Sequence, residues 1–467
     1  MTIQLRDYQA RAVHELRHAF REGARSPLFT LATGGGKTFV FSYIAQQAAQ
    51  RGGHVLILVH RQELLMQASR SLDVLDVAHG LIAPGHSSTL DNVQVASVQT
   101  LVRRLKKITW EPSLIIVDEA HHAVAGSWRK ILDAFPTALV LGVTATPCRL
   151  DGQGLGRDAG GVFDDLILGP SIPELVAAGH LCDSKVYAPP MVANLDGVKQ
   201  RAGDFAKGEV AERMDKPTIT GNAVGHYQRL APGKPAIAFC ASVAHAEHVA
   251  EEFRASGFRS ASLDGSLPDG ERKQRIDDLA SGKIHVLTSC EIVSEGFDLP
   301  VVTAAILLRP TASEGLYLQQ VGRALRPFPG KEYAIILDHV GNVLTHGLPD
   351  DEREWTLEGR PKRRGTSESG PPVRQCEACY TCHRPAPECP ACGYRYKIDD
   401  RQPEEVAGEL KEITKAEKIA LRRVRVSEES GCTTLEDLQK LGEARGYKPG
   451  WAAHRFEARQ RKRQWTT

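Results

Sequence analysis

The sequence predicts an α/β fold of two tandem parallel-sheet domains, followed by a small cysteine-knuckle module and a helical C-terminal tail. Three observations carry this. Short Val-, Ile- and Leu-rich runs alternate with amphipathic stretches twice along the chain, once up to residue 181 and again from residue 233. Such alternation is the pattern of strands buried on both faces between helices. Two Cys-x-x-Cys pairs lie close together beyond the second block. At 467 residues the chain also exceeds what one hydrophobic core sustains.

Taken in order, residues 1–181 form the first α/β domain. Its runs at 28–31, 54–59, 93–97, 114–117 and 138–143 read as central strands, with helical patterning such as Arg61-Gln62-Glu63-Leu64-Leu65-Met66-Gln67-Ala68 between them. Residues 182–232 carry prolines, glycines and mixed charge, and read as a connector with some helix, or in part as chain belonging to the next sheet. Residues 233–348 form the second domain, with strands at 236–240, 260–263, 284–289, 303–308 and 333–337 and a helix at 243–254. A polar linker spans 349–372 and includes Arg360-Pro361-Lys362-Arg363-Arg364-Gly365. The cysteine module occupies 373–398. A charged, helix-rich, basic region spans 399–467 and ends Arg459-Gln460-Arg461-Lys462-Arg463.

Composition narrows the class. Hydrophobic residues make up 42% and charged residues 25%, the balance of a water-soluble globular protein. A net charge of +2 gives no overall field, so any surface for nucleic acid must be local. The N-terminus has no apolar secretion core, and no run of about 18 apolar residues exists, so a cytoplasmic protein without a membrane partner is expected. Five of the ten cysteines fall between Cys376 and Cys392. In such a chain a cluster reads as a metal site in a reducing compartment rather than a disulfide framework.

The stretch Leu31-Ala32-Thr33-Gly34-Gly35-Gly36-Lys37-Thr38 follows a predicted strand and opens a predicted helix. Glycines let the backbone curl with its N–H groups inward, and the helix N-terminus adds partial positive charge, so phosphate oxygens fit there. Lys37 is placed to reach the β- and γ-phosphates and the Thr38 hydroxyl to ligate Mg²⁺. The usual first glycine of a P-loop is Leu31 here. Taken alone, the motif supports nucleotide binding and leaves the class of ATPase open.

An apolar strand, Leu114-Ile115-Ile116-Val117, runs into Asp118-Glu119-Ala120-His121. This puts two acids at a strand's C-terminal end, where open α/β sheets bind ligands. Neighbouring acids cannot face the same way and so suit different tasks. Asp118 would hold Mg²⁺, and Glu119 would orient and deprotonate the attacking water.

With Thr144-Ala145-Thr146-Pro147, the Asp-Glu-Ala-His stretch resembles motifs II and III of superfamily 2 helicases. The resemblance runs roughly from Leu5 to Asp338 in the family's motif order. It implies two RecA-like domains closing on ATP. Leu5-Arg6-Asp7-Tyr8-Gln9 resembles the N-terminal glutamine motif, which places Arg6 and Gln9 at the adenine. Val59-His60-Arg61-Gln62-Glu63-Leu64 and Ala96-Ser97-Val98-Gln99-Thr100 sit where strand-contacting motifs are expected. They give His60, Arg61, Ser97 and Gln99, with Thr288 of the second domain, as nucleic-acid contacts. Phe239-Cys240-Ala241-Ser242 resembles motif IV. Ser294-Glu295-Gly296-Phe297-Asp298 resembles motif V and puts Gly296 and Asp298 at the nucleotide. Gln319-Gln320-Val321-Gly322-Arg323-Ala324-Leu325-Arg326 resembles motif VI. By that resemblance Arg323 and Arg326 reach the γ-phosphate from the second domain, and Gln319 joins the catalytic set. His121, Thr144 and Thr146 would couple ATP state to the strand-binding face. The Leu31 P-loop and the Gly-Arg-Ala-Leu-Arg-Pro of motif VI point to the restriction-helicase and XPB-like branch. Within it the chain resembles bacterial RadD-type and phage-borne helicases, which makes DNA the preferred substrate.

Cys376-Glu377-Ala378-Cys379 and Cys389-Pro390-Ala391-Cys392 supply four thiolates at the spacing of a structural Zn²⁺ knuckle pair. Cys382 and His383 lie between them, open to either ligation or packing. The expected protein is thus an ATP-driven DNA helicase or translocase in repair, recombination or replication, using ATP, Mg²⁺ and Zn²⁺. The C-terminal region is a candidate contact for a repair or replication protein. An RNA helicase, or a non-unwinding remodeller or adaptor with a recruiting zinc module, remain the alternatives.

Overall fold

Apolar runs that cannot face water on either side become the middle of two sheets. A computed structural model describes residues 4–87, 89–149, 151–188, 200–201, 204–205, 210, 214, 217–290, 299–359, 373–396, 428–429, 431–432, 434–445, 450–453 and 455–456. The first sheet is built from β1 (Pro27–Thr30), β2 (Val55–Val59), β3 (His79–Ile82), β4 (Val93–Ser97), β5 (Leu114–Asp118), β6 (Leu139–Thr144) and β7 (Asp165–Leu168). Its order is β3-β4-β2-β5-β6-β1-β7, and every pairing is parallel. Helices α1 (Asp7–Arg21), α2 (Lys37–Ala49), α3 (Gln62–Val74), α4 (Val98–Arg104), α5 (Gly126–Ala134) and α6 (Ile172–Ala177) surround it. In α1 the buried Ala12, Val13, Leu16 and Ala19 form one stripe, with Asp7 in the first turn and His18 and Arg21 in the last, as the helix dipole favours.

The second sheet contains β8 (Ser184–Tyr187), β11 (Ala236–Phe239), β12 (Ser260–Leu263), β13 (Val286–Ser289), β14 (Ala304–Leu307), β15 (Ala334–Asp338), β16 (Arg374–Gln375) and β17 (Thr381–His383). A separate two-residue hairpin joins β9 (Gln200–Arg201) and β10 (Asp204–Phe205). The order is β12-β13-β11-β14-β15-β8-β17-β16. Pairing is parallel as far as β8 and antiparallel beyond it. Its helices are α7 (Pro217–Leu230), α8 (Val243–Ala255), α9 (Asp269–Ala280), α10 (Glu314–Ala324) and α11 (Asn342–His346). One hydrophobic cluster runs from Leu16 and Phe29 in the first lobe through Leu181 to Ile237 and Val343 in the second. Each sheet has a further cluster of its own.

Two stretches bear on their sequence reading. The connector supplies β8, which pairs with β15, so the second sheet takes in chain from just past Cys182, the alternative left open for that stretch. Residues 349–359, read as linker, form a strap. Leu357 packs beside the first lobe's core, and its carbonyl accepts the Gly156 N–H at 2.8 Å. Arg353 pairs with Glu314 of α10 at 2.7 Å. Trp355 packs against the main core cluster, so two apolar residues and an ion pair seat an otherwise polar run. The basic part of that linker, 360–365, lies outside the described residues.

The chain forms two units, 1–396 and 397–467. In the second, α12 (Leu435–Ala444) is closed by a capping box in which Thr434 Oγ1 accepts the Asp437 N–H at 3.2 Å and the Asp437 carboxylate accepts the Thr434 N–H at 2.9 Å. The tail's basic stretches, 418–425 and 459–463, lie outside the described residues. Among the described residues no helix is long and apolar enough to cross a membrane.

Candidate active site

The glycine turn between β1 and α2 forms the floor of the site. Gly34 and Gly36 have φ of +90° and +88°, a conformation that favours glycine. Leu31 is buried beneath the turn, and a Cβ on Gly35 would come within 2.7 Å of its side chain. Leucine at this position therefore fills space under the loop that the first glycine of other P-loops leaves to backbone. From α1, the Tyr8 hydroxyl donates to the Gly35 carbonyl at 2.7 Å, and Gln9 Nε2 approaches the same oxygen at 3.5 Å. Gln9 also accepts the Arg6 backbone N–H at 3.0 Å, and Arg6 donates to the Tyr8 hydroxyl at 3.1 Å.

Lys37 Nζ donates to the Leu31 carbonyl at 3.3 Å. Burial pulls its ammonium below the ordinary lysine range, opposed by Glu119 and Asp118, while Arg323 and Arg326 push it further down. Charges from both lobes therefore converge on one point. Thr38 Oγ1 accepts from Gln67 Nε2 at 3.3 Å. These groups line a cavity of about 970 Å³ together with Arg6, Thr33, Asp118, Glu119, Arg323 and Arg326.

Glu119 follows β5 in the left-handed region, φ +49°. For a side-chain-bearing residue this costs on the order of 1–2 kcal/mol. It turns the chain at once into a short 3₁₀ turn, Ala120–His122, leaving Asp118 and Glu119 facing differently. The Glu119 N–H donates to Asp118 Oδ1 at 3.0 Å. His121 Nδ1 lies 3.4 Å from Glu119 Oε2 and 3.4 Å from Thr144 Oγ1. Thr144 Oγ1 donates to the Thr146 carbonyl at 3.0 Å and accepts the Thr146 N–H at 3.2 Å. Glu119, His121, Thr144 and Thr146 are all buried, and they make one polar path away from the cavity.

The path ends on the other lobe. A Cβ on Gly315, in the first turn of α10, would lie 2.8 Å from Thr146 Oγ1. Farther along α10, a Cβ on Gly322 would lie 2.7 Å from Thr33 Cβ. At its C-terminal end the Arg326 side chain crosses Gly34, whose Cβ would meet Arg326 Cγ at 3.3 Å. Gln319, Arg323 and Arg326 are buried. The lobes also meet through Arg272 of α9 and Glu63 of α3, 3.6 Å apart.

His60, Arg61, Ser97 and Gln99 come together at the C-terminal ends of β2 and β4. Gln99 Nε2 donates to the His60 carbonyl at 3.1 Å, Ser97 Oγ to Gln99 Oε1 at 2.9 Å, and Arg61 Nε to His60 Nε2 at 3.3 Å. Thr288 is not among them. It is fully buried in β13, and its hydroxyl donates to the Ala246 carbonyl at 2.7 Å, so its placement as a nucleic-acid contact is corrected. Its side chain lies on the face of the sheet that α8 covers, which leaves it no outlet to the surface. Gly296 and Asp298 lie outside the described residues.

The sulfurs of Cys376, Cys379, Cys389 and Cys392 lie within 4.8 Å of one another, with Cys376–Cys392 at 3.6 Å and Cys379–Cys389 at 3.7 Å. A tetrahedral site with metal–sulfur bonds of about 2.3 Å has sulfur–sulfur edges of about 3.8 Å, so the four thiolates fit a single ion. Cys382 and His383 pack instead. Cys382 is buried in β17 opposite Val186, and burial pushes its thiol up to about 12. The His383 ring bonds the Tyr396 hydroxyl and the Arg384 carbonyl, each at 2.7 Å.

Sequence reasoning missed several neighbours of the turn. They are Tyr8, Gln67 and the interlobe segment His180–Leu181, where His180 packs on Tyr8 and Leu181 sits 3.0 Å from a Cβ on Gly34. Tyr8 stood beside Gln9 in a quoted motif; the others carry no local signal.

Comparison with known proteins agrees with this geometry. Residues 2–149 match the family model for the type III restriction enzyme res subunit, and residues 220–327 match the helicase conserved C-terminal domain. A 51.5 kDa protein of Lactococcus phage 7-9 is 33% identical over 83% of this chain and 82% of its own length. The putative ATP-dependent helicase IRC3 of Saccharomyces cerevisiae is 34% identical over 72% of this chain, which spans only 51% of that relative. The DNA-bound structure of the type ISP restriction-modification enzyme LlaBIII shares the fold at TM-score 0.56 and 20% identity, over 73% of this chain and 28% of that one. With a phosphate cradle in one lobe, arginines from the other laid across it, and family models matching both, the chain belongs to the superfamily 2 helicases of the restriction-enzyme and XPB-like branch and is an ATP-hydrolysing enzyme.

Proposed function

We propose that this helicase is a cytoplasmic, DNA-stimulated translocase or unwinding motor that works in DNA repair, recombination or replication. The observation that carries the coupling is the buried path from Glu119 through His121 and Thr144 to Thr146, which ends against α10 of the second lobe. In this reading Glu119 deprotonates the attacking water, and Arg323 and Arg326 stabilise charge on the transferring phosphoryl group. Lys37 and the N–H groups of the glycine turn hold the phosphates. Gln9 and Arg6 lie at the adenine. Mg²⁺, held by Thr38 and Asp118, supplies neutralisation of phosphate charge. Loss of the γ-phosphate removes what the arginines grip. The change passes along the His121 path to the lobe interface and moves the row His60, Arg61, Ser97 and Gln99 against the nucleic-acid backbone.

DNA is preferred because the relatives of this chain include one named a DNA 3'-5' translocase, XPB2 of Sulfurisphaera tokodaii, 24% identical over 74% of this chain. The four cysteines hold a structural Zn²⁺, supported by sulfur spacings of 3.6 and 3.7 Å. Contacts to a sugar–phosphate backbone are blind to sequence and weaken steeply with salt.

The test is ATPase turnover against single-stranded DNA, duplex DNA and RNA at two salt concentrations, beside strand-displacement and triplex-displacement assays. Stimulation by DNA that exceeds stimulation by RNA and falls with salt is expected. Equal or greater stimulation by RNA overturns the DNA reading.

A further inference from the structure

One charged side chain outside the recognised motifs reaches the end of α10 from behind. Helix α10 closes at Ala324, with Leu325 as its cap and Arg326 next. The chain doubles back through Phe328-Pro329-Gly330-Lys331, where the Lys331 N–H donates to the Phe328 carbonyl at 3.0 Å. Gly330 has φ +78°, the value that the third position of a Pro-Gly type II turn requires. This turn brings the Lys331 ammonium onto the Arg326 carbonyl at 2.6 Å and the Val302 carbonyl at 2.7 Å. Cys182, just past the segment that joins the lobes, completes the anchorage. Its N–H donates to the Leu325 carbonyl at 2.7 Å, and its sulfur faces the Arg326 carbonyl at 3.7 Å.

A cation at a helix C-terminus meets the carbonyl dipoles gathered there. Lys331 is half-buried, however, and burial draws its ammonium down to about 8, offset in part by Cys182 and reinforced by Arg326. A surface lysine serving solubility would not be held in so enclosed a place. What it holds is the peptide that carries Arg326, whose side chain lies across Gly34 in the cavity floor.

We propose that Lys331 is a positioning residue for ATP hydrolysis: by pinning the Arg326 carbonyl it fixes where the Arg326 guanidinium enters the cleft. This rests on the reading of Arg326 as a contact to the transferring phosphoryl group. Rotation of the Arg326–Pro327 peptide shifts the root of that side chain, and a displacement of about 1 Å can cost on the order of 100-fold in rate.

The experiment compares nucleic-acid-stimulated ATPase of the full chain with that of Lys331→Met, Arg326→Ala and the double variant. Binding of a fluorescent ATP analogue is measured in each. Lys331→Met keeps the aliphatic bulk and removes the donor. It is expected to lower kcat roughly 10- to 100-fold while analogue affinity stays within about threefold. The double variant is expected to be no slower than Arg326→Ala, because residues acting as a unit are not additive. If Lys331→Met leaves kcat unchanged where Arg326→Ala lowers it, the positioning role is wrong. It is equally wrong if the double variant is slower than Arg326→Ala by the full Lys331 factor. If Arg326→Ala itself leaves kcat unchanged, the arginine reading fails and this inference goes with it. Should circular dichroism find Lys331→Met unfolded, Lys331→Leu, which also removes the donor, is held to the same criteria.

Discussion

The two walls of the cleft are made differently. The P-loop wall comes from one contiguous stretch between β1 and α2, and its working surface is backbone held by positive-φ glycines and by Tyr8 and Gln9 beneath them. The facing wall is shared by α9, Leu299-Pro300 and the end of α10. Helix α10 touches the first lobe at Thr146 near one end and, with Arg326 just beyond it, at Thr33 and Gly34 near the other. Its arginines are side chains on a movable support. Grip is therefore built into peptide geometry, whereas response depends on where a few side chains stand. Damage to the first wall should abolish turnover; damage to the second should grade it.

The largest effect is expected from Lys37→Ala and Glu119→Gln. Each should lower kcat by about 10³-fold or more in steady-state ATPase, since each removes a group that the proposed function puts at the reacting phosphate. Arg326→Ala should lower kcat on the order of 100-fold or more while analogue binding changes little, because the backbone cradle is left intact. Loss of binding with unchanged turnover at saturation would break the contrast between the walls. Gly322→Ala sharpens it. Alanine favours a helix interior by up to about 1 kcal/mol over glycine, so the melting temperature should hold or rise. Its Cβ nevertheless lands 2.7 Å from Thr33 Cβ, so closure is hindered and kcat should fall roughly tenfold. The smallest effect on turnover is expected from Cys376→Ser combined with Cys392→Ser. Metal analysis should find about one Zn²⁺ per chain in the parent and none in the variant, with a lower melting temperature and ATPase changed by only a fewfold.

Much of the frame was legible because buried parallel strands admit little but Val, Ile, Leu and Ala. The runs at 93–97 and 260–263 became β4 and β12 without change, and the other runs read as strands moved by one or two residues. Not named as strands were β3 and β7 at the edges of the first sheet and β8 beside β15. Each mixes buried residues with partly or fully exposed ones, and β7 begins with the exposed Asp165, so none carries a run buried throughout. The site divides in the same way. Glycine turn, acids and arginines stand in recognisable strings. Gln67 on Thr38, Leu181 on Gly34 and Lys331 on Arg326 are neighbours only after folding, and spacing along the chain holds no trace of them. Thr288 shows the converse, a residue of fitting type on a sheet face that α8 covers.

The cysteine knuckles are joined to the second sheet by hydrogen bonds as well as by chain. Strand β17 pairs with β8, which pairs with β15, and Arg384 binds Asp350 at 3.0 Å. The module is thus an outrigger of the second lobe, framed by strand pairing as well as joined by chain. Under the proposed motor function, a turn of that lobe would be carried outward along the sheet. A small angle at the cleft would then be a longer stroke at the knuckles.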